Sequence, residues 1–234
     1  MEVKNNDTKD VTSKVDDALA GSLDTATVFF EKYRKQIYYV GGGILIAVAL
    51  IVGYKQFYIK PLEEEAQKEI FMAQKFFEKD SLQLALNGVG QYKGMVAIAE
   101  EYGSTKTGNL ARYYAGMSYL RTGKYNEAIE YLSDFSTGDE LIGALAQAAI
   151  GDAHVELNEY DEAVKYFIKA SKMIKNKFTT PVFLKKAGLV YEELKQYGKA
   201  VEVYELIKKD FKDTQEGQEM DKYIARAKTL ESNS

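Results

Sequence analysis

The pattern of apolar and polar positions divides the chain into three parts. The first part is polar over residues 1–10 and then carries an apolar residue every three or four positions as far as Ile37, which predicts an amphipathic helix. The second part is a continuous uncharged run over residues 37–54. From residue 60 onwards apolar positions return to helical spacing, and the only two prolines of the chain are Pro61 and Pro181. The pattern therefore predicts an all-α protein with one long apolar segment near its N-terminus.

The uncharged run has the length of a membrane helix. About 20 apolar residues cross a bilayer as a helix, and Phe57, Tyr58 and Ile59 lengthen the run beyond Lys55. We therefore predict a transmembrane helix over residues 37–59. A buried core helix is the alternative. A cleaved signal peptide fits less well, because a polar region of 36 residues precedes the run and no clean cleavage site follows it. The prediction is thus an uncleaved signal anchor.

Positive charges beside the run predict its orientation. Lys32, Arg34 and Lys35 crowd the N-terminal edge, whereas Lys55 and Lys60 are dispersed on the other side. Since cytoplasmic flanks carry the excess of Lys and Arg, residues 1–36 are predicted to be a cytoplasmic tail. The part after the membrane would then lie in the periplasm of a bacterium, and a chain without cysteines suits that oxidising compartment.

Three consecutive glycines, Gly41, Gly42 and Gly43, lie within the predicted membrane helix. Small residues allow a second helix to approach closely, which makes these glycines a candidate contact with a partner helix. The alternative is that they reflect only the general frequency of glycine in membrane helices.

The rest of the chain contains an internal repeat. Gly116, Gly151 and Gly188 follow one another at spacings of 35 and 37 residues, in segments that also align further on. The pattern resembles the tetratricopeptide repeat, a helix–turn–helix unit of about 34 residues. In such a unit Gly and Ala lie where two helices cross closely, and large residues fill the gap to the next repeat. The other aligned positions are Tyr119, His154 and Tyr191, then Tyr125, Tyr160 and Tyr197, and then Ala128, Ala163 and Ala200.

The repeats predict the organisation of the third part. We expect a tetratricopeptide-repeat domain over residues 60–234, stacked as an α-solenoid, with its clearest repeats at 109–142, 144–177 and 181–214. Residues 101–108 and 210–217 share an aromatic residue, a Thr and a Gly at equal spacing, each just before a predicted helix. The last helix, from Gly217 to about Leu230, is expected to cap the array. The stretch from 82 to about 101 is predicted to be a helix interrupted by glycines.

The composition excludes several kinds of chemistry. The chain has no cysteine and one histidine, His154, so thiol chemistry and multi-histidine metal sites are excluded, and His154 is predicted to pack in the core. A net charge of −4 argues against a nucleic-acid partner. Residues 103–108 do not form a phosphate loop, because Asn109 and Leu110 follow the second glycine where such a loop has Lys-Ser/Thr. The acidic pairs at 161–162 and 192–193 are expected on exposed positions. We therefore predict no catalytic, cofactor or metal site and no enzyme.

The resemblance to tetratricopeptide repeats implies a partner-binding groove. In such arrays the first helix of each pair lines the groove, and the mixed side chains at these positions suit contact with a peptide or a helix. They lack the run of Lys and Asn with which carboxylate-clamp repeats hold a C-terminal carboxylate. The alternative is that partners bind the convex face or the membrane helix. The groove positions are Tyr113, Met117, Arg121, Ala148, Asp152, Glu156, Lys185, Leu189 and Glu193.

The order of one membrane helix, tetratricopeptide repeats and a capping helix resembles the YfgM-like ancillary subunits of the bacterial SecYEG translocon. The resemblance covers roughly residues 30–230. It implies a non-enzymatic scaffold in the inner membrane, with Sec subunits, periplasmic chaperones or exported polypeptides as partners and no small-molecule substrate. Two alternatives stay open: a scaffold of another envelope machine, such as outer-membrane assembly, secretion or cell division, and a hydrolase with an unusual Asp/Glu site.

Overall fold

The computed structural model describes residues 31–36 and 38–233. The predicted amphipathic helix before residue 31 lies outside the described residues. Contacts within the chain divide it into two units, with the boundary between Tyr58 and Ile59.

The first unit contains the apolar segment, which is helical. This helix, α1, covers residues 31–36 and 38–54 and is followed by a π-helical turn, Lys55–Ile59. It is long and apolar enough to cross a membrane, and its apolar window contains no buried residue. The side chains of Leu45 and Ile46, for example, are 72% and 65% exposed, which is unlike the core helix of a soluble protein.

The second unit consists of ten helices and one short hairpin. Each of its helices packs against the next along the chain, and α11 also contacts α9. The elements are α2 (Lys60–Glu78), α3 (Leu82–Asn87), β1 (Gly88–Val89), β2 (Tyr92–Lys93), α4 (Met95–Glu101), α5 (Lys106–Arg121), α6 (Tyr125–Ser133), α7 (Glu140–Glu156), α8 (Tyr160–Met173), α9 (Thr180–Glu193), α10 (Tyr197–Asp210) and α11 (Gln215–Ser232).

The second unit is almost entirely helical, in agreement with the predicted all-α class, and one short hairpin is the exception among its described residues. The expected interrupted helix over 82–101 is instead two short helices, α3 and α4, joined by an antiparallel pair in which Val89 lies opposite Tyr92. Gly88 and Gly90 have φ values of +76° and +58°, in the left-handed region that favours glycine. These two glycines therefore end the helix and turn the chain instead of merely weakening a continuous helix.

The three predicted repeats correspond to the pairs α5–α6, α7–α8 and α9–α10, and each pair turns in the same way. The turn residue has positive φ in every case: Gly123 (77°), Asn158 (59°) and Lys195 (56°). The next residue donates its backbone N–H to the carbonyl oxygen five positions earlier, at 2.8–2.9 Å. This is the hydrogen bond of a Schellman motif. Its acceptors are the aligned aromatic positions Tyr119, His154 and Tyr191, so the register of the repeats is confirmed.

The aligned glycines lie where the two helices of a pair cross. A Cβ atom added to any of them would lie within 3 Å of a large side chain on the second helix, so each position has room only for hydrogen. The aligned alanines Ala128, Ala163 and Ala200 are fully buried on the same second helices. The closest atoms belong to Leu132 for Gly116 (2.5 Å), Phe167 for Gly151 (2.8 Å) and Tyr204 for Gly188 (2.2 Å).

The two similar turns at 101–108 and 210–217 both cap a helix. The Thr105 hydroxyl accepts from the Gly108 N–H at 2.9 Å and donates to the Tyr102 carbonyl at 2.7 Å. The Thr214 hydroxyl accepts from the Gly217 N–H at 3.1 Å and forms the equivalent bond to the carbonyl of residue 211 at 2.8 Å. Both are Thr N-caps, at the start of α5 and of α11. The similarity noted in the sequence therefore has a structural cause.

A carboxylate joins α2 to the start of α5. Glu63 accepts hydrogen bonds from the Thr107 backbone N–H at 3.0 Å and from the Thr107 hydroxyl at 2.7 Å. Burial by itself raises the pKa of Glu63, but the hydrogen bonds from Thr107 and Gln67 outweigh it and hold the pKa below its ordinary value. The ionised form of Glu63 therefore stabilises the fold.

Glu63→Gln is expected to lower the stability of the protein at neutral pH by about 1–2 kcal/mol, because it removes a charged acceptor from two donors. A lowered folded pKa contributes stability above the unfolded pKa and loses it as the pH falls through the folded pKa. Thermal melts of variant and parent should thus converge as the pH falls below the ordinary glutamate pKa of about 4.3 and then through the lowered pKa of Glu63. Glu64→Gln, at an exposed neighbour, is the matched control. A difference in melting temperature that persisted at low pH would assign the effect to packing.

The predicted burial of His154 and the predicted exposure of Glu192 have different outcomes. His154 is buried as predicted, with its ring stacked on Tyr166 at 5.2 Å and its Nδ1 2.6 Å from a Glu159 carboxylate oxygen. The prediction that Glu192 is exposed is wrong, since its side chain is only 11% exposed. Glu192 accepts from the Tyr204 hydroxyl at 2.8 Å and pairs with Arg226 at 2.9 Å, so it connects α9, α10 and α11.

Candidate functional site

The first helices of the three repeats, α5, α7 and α9, border a common cleft. We call it the α5–α7–α9 cleft. It has a volume of about 270 Å³. Four of the predicted groove residues line it: Tyr113 and Met117 on α5, and Ala148 and Asp152 on α7. The structure therefore brings together these four side chains, which lie up to 39 positions apart in the sequence.

The walls of the cleft are mainly apolar. Tyr113 is half-buried between two other rings, at 5.9 Å from Tyr114 and 5.2 Å from Phe135, and burial raises the pKa of its hydroxyl above the ordinary value. Met117 is half-buried one turn further along the same face of α5. An aromatic ring and a thioether on one helix face give a surface that adapts to different apolar groups. Six further apolar residues of the walls were not predicted, which are Leu120, Leu145, Ala149, Phe178, Val182 and Phe183.

The charged residues that line the cleft form a pair with each other. The Lys186 ammonium lies 2.6 Å from Asp152 Oδ1 and 2.7 Å from Oδ2. It also lies 5.5 Å from the centre of the Phe167 ring, within the range of a cation–π contact. Lys186 was not predicted as a site residue, although it lies 34 residues after Asp152 and so occupies the neighbouring repeat. The pair leaves the cleft with no net charge.

The loop between α8 and α9 forms one rim of the cleft and carries an exposed aromatic ring. Phe178 lines the cleft and is 86% exposed, the highest exposure of any large apolar residue in the described part of the chain. Asn176 holds the loop, because its side-chain oxygen accepts from the N–H groups of Phe178 (2.7 Å) and Thr179 (2.8 Å). The loop is thus ordered by its own hydrogen bonds while the ring faces solvent.

The remaining predicted groove residues lie outside the cleft lining. Arg121 pairs with Asp80 at 2.7 Å, and Glu156 accepts from the Tyr125 hydroxyl at 3.1 Å. Lys185 pairs with Glu219 on α11 at 2.8 Å. Leu189 and Glu193 lie on α9 and are exposed, Leu189 by 36%.

Ion pairs between α7 and α9 and between α9 and α11 recur at the repeat length. Asp152 with Lys186, Lys185 with Glu219, and Glu192 with Arg226 are each separated by 34 residues. Such pairs fix the position of one repeat on the next, although exposed pairs contribute little stability individually.

The glycines of α1 have free space around them. A Cβ atom on Gly41, Gly42 or Gly43 would meet no atom within 4 Å outside the neighbouring backbone. Their role as a helix contact stays a prediction.

Family models for the tetratricopeptide repeat match three segments of the chain. They cover residues 110–136, 144–177 and 185–214. The chain contains tetratricopeptide repeats. No curated protein gives a match to the chain. The predicted resemblance to these repeats is confirmed, and repeats of this kind are typical of non-enzymatic scaffolds that bind other proteins.

The side chains of the cleft are suited to binding and not to metal chemistry. Within residues 31–36 and 38–233 there is no group of three or more His, Asp or Glu side chains placed to hold a metal ion. The cleft offers apolar walls, an exposed ring and an internally paired carboxylate and ammonium. This arrangement can bind a polypeptide surface through apolar contacts.

Proposed function

We propose that the chain is a membrane-anchored α-solenoid scaffold that binds protein partners in the α5–α7–α9 cleft. The observation that carries this proposal is the cleft itself, where apolar side chains from three successive repeats meet beside the exposed ring of Phe178. Binding of a partner that covers exposed apolar surface of this kind lowers the free energy. The tetratricopeptide repeats supply the scaffold, and α1 supplies the anchor.

The proposed topology places the tail in the cytoplasm and the repeats in the periplasm. It is supported by the apolar window of α1 and by the cluster of Lys32, Arg34 and Lys35 before it. Alkaline phosphatase fused after Ser234 is expected to be active, because it folds only outside the cytoplasm, and a cytoplasmic reporter at the same site should be silent. The reverse result would invert the topology.

We further propose that the scaffold is an ancillary component of the Sec translocon that links exported polypeptides to periplasmic chaperones. The support is the resemblance in domain order to the YfgM-like subunits. Purification of the full chain from detergent-solubilised membranes should recover Sec subunits. Recovery of a different envelope complex would instead assign the scaffold to outer-membrane assembly, secretion or cell division.

Crosslinking in cells tests the cleft. The double variant Tyr113→Ala and Met117→Ala removes two apolar groups of the cleft wall and is expected to lose most partner crosslinks, because a few central apolar residues carry most binding energy in protein interfaces. Leu189→Ala is the matched control, since it truncates an exposed apolar residue on α9 outside the cleft. Circular dichroism should show that both variants stay helical. Unchanged crosslinks in a folded double variant would move the contact to α1 or to another face.

A further inference from the structure

We infer that the α5–α7–α9 cleft takes an uncharged apolar segment of a partner polypeptide, held by Phe178 and the apolar walls without an ionic contact. This inference rests on the proposed function of the cleft as a partner site and adds the chemistry of the segment that it recognises.

The charges of the cleft argue against a charged occupant. Of the twelve residues that line it, Asp152 and Lys186 alone are charged, and the ammonium already bonds both oxygens of the carboxylate. A partner carboxylate would have to take Lys186 from Asp152, and a partner ammonium would have to take Asp152 from Lys186. Either exchange breaks an existing ion pair and gains little, because both side chains are more than a third exposed and exposed pairs contribute only modestly. An uncharged segment leaves the pair intact.

Phe178 is the strongest apolar contact that the cleft offers. Its ring is 86% exposed, so a partner that covers it removes a large apolar area from water. The loop that carries it is already ordered, because Asn176 also donates to the Thr179 hydroxyl at 2.9 Å and its N–H donates to the Thr180 hydroxyl at 3.0 Å. A partner therefore gains contact with the ring without the cost of ordering the loop.

The borders of the cleft favour side chains of a polypeptide. Its volume is about 270 Å³. The cleft is bordered by three helices and a loop, so it is suited to apolar side chains that project from a segment lying across α5, α7 and α9.

Binding of short labelled peptides to the full chain in nanodiscs tests this inference. The probe peptide is acetylated and amidated at its ends and carries Leu, Phe and Val among Ser and Gly, and fluorescence anisotropy measures its affinity. Matched peptides replace the apolar residues by Asp, replace them by Lys, or leave the C-terminal carboxylate free. We expect the blocked apolar peptide to bind, the Asp and Lys peptides to bind at least tenfold more weakly, and the free carboxylate to add nothing.

Variants identify the contacts. Phe178→Ser is expected to weaken binding of the blocked peptide at least about tenfold, as for a central aromatic contact of an interface. Phe71→Ser, at a second exposed phenylalanine on α2 outside the cleft, is the matched control and should leave affinity unchanged. The double variant Asp152→Asn and Lys186→Gln, which removes both charges together, should change affinity less than twofold. Affinity should also stay constant between about 50 and about 500 mM NaCl, a range over which ionic contacts are screened.

The outcomes separate this inference from the proposed function. If the double variant Tyr113→Ala and Met117→Ala retains its partner crosslinks, the assignment of the cleft as the partner site is wrong. If those crosslinks are lost but peptide binding depends on salt, on Lys186 or on a free carboxylate, the cleft is a partner site and the inference about its occupant is wrong. Failure of every peptide in the panel to bind, or binding of a fatty acid in place of the apolar peptide, also overturns the inference.

Discussion

Gly188→Leu is expected to destabilise the repeat domain more than the same change at either other aligned glycine. Even a Cβ atom at this position would lie 2.2 Å from the Tyr204 ring. That ring has no room to move, because Tyr204 is fully buried and its hydroxyl donates to Glu192. Glu192 is in turn held by Arg226. Overpacking commonly costs about 1–3 kcal/mol, and we place Gly188→Leu at or above the upper limit.

Thermal melts measure the effect. In a domain of this size each kcal/mol lowers the melting temperature by about 2–4 °C, so a loss of about 3 kcal/mol or more should make Gly188→Leu melt at least about 6–12 °C below the parent. Gly116→Leu should cost less, because its Cβ atom would lie 2.5 Å from the Leu132 side chain, which is smaller than the Tyr204 ring and is not held by a hydrogen bond. The matched control is Gly138→Leu in the loop before α7, where a Cβ atom meets nothing within 4 Å. Parent-like melts of the Gly116, Gly151 and Gly188 variants would contradict the crossing geometry.

The sequence could predict those parts of the fold in which the packing partners lie within one repeat. Gly151 must face a large residue, and Ala163 must be buried, because both belong to the same helix pair and recur at the repeat spacing. The turn positions follow for the same reason. Local spacing and side-chain size were therefore sufficient to place the three pairs and to assign His154 to the core.

The parts that sequence could not predict depend on neighbours in another repeat or on loop geometry. The local sequence predicts that Glu192 is exposed on α9, because its partner Arg226 lies 34 residues later, on α11. Lys186 was missed because its partner Asp152 lies one repeat earlier. Phe178 lies in a polar stretch with no helical spacing, so the sequence does not show that it lines the cleft or that Asn176 orders its loop.

The second large effect is expected from Gly108→Ala, where one methyl group should reverse the usual preference of helices for alanine. Alanine is about 1 kcal/mol more favourable than glycine inside a helix. At Gly108, however, a Cβ atom would lie 1.9 Å from the Tyr102 carbonyl oxygen. The Thr105 N–H and hydroxyl both bond that oxygen, at 2.9 and 2.7 Å, so the backbone cannot move away without breaking the N-cap of α5. We expect a loss of more than about 3 kcal/mol.

The equivalent change at Gly217 tests whether this loss is local. Its Cβ atom would lie 2.0 Å from the carbonyl oxygen of residue 211, in the matching N-cap of α11. Gly198→Ala, on an exposed face of α10 where only the Glu231 carboxylate comes near, should instead leave stability equal or slightly raised. Because α11 is the last described helix and packs mainly on α10, Gly217→Ala should increase hydrogen exchange mainly in α10 and α11. Gly108→Ala should do so in α2, α4 and α5, since Glu63 bonds the first turn of α5. Equal exchange throughout the domain in both variants would mean that the repeats unfold as one cooperative unit, and not by separable neighbours.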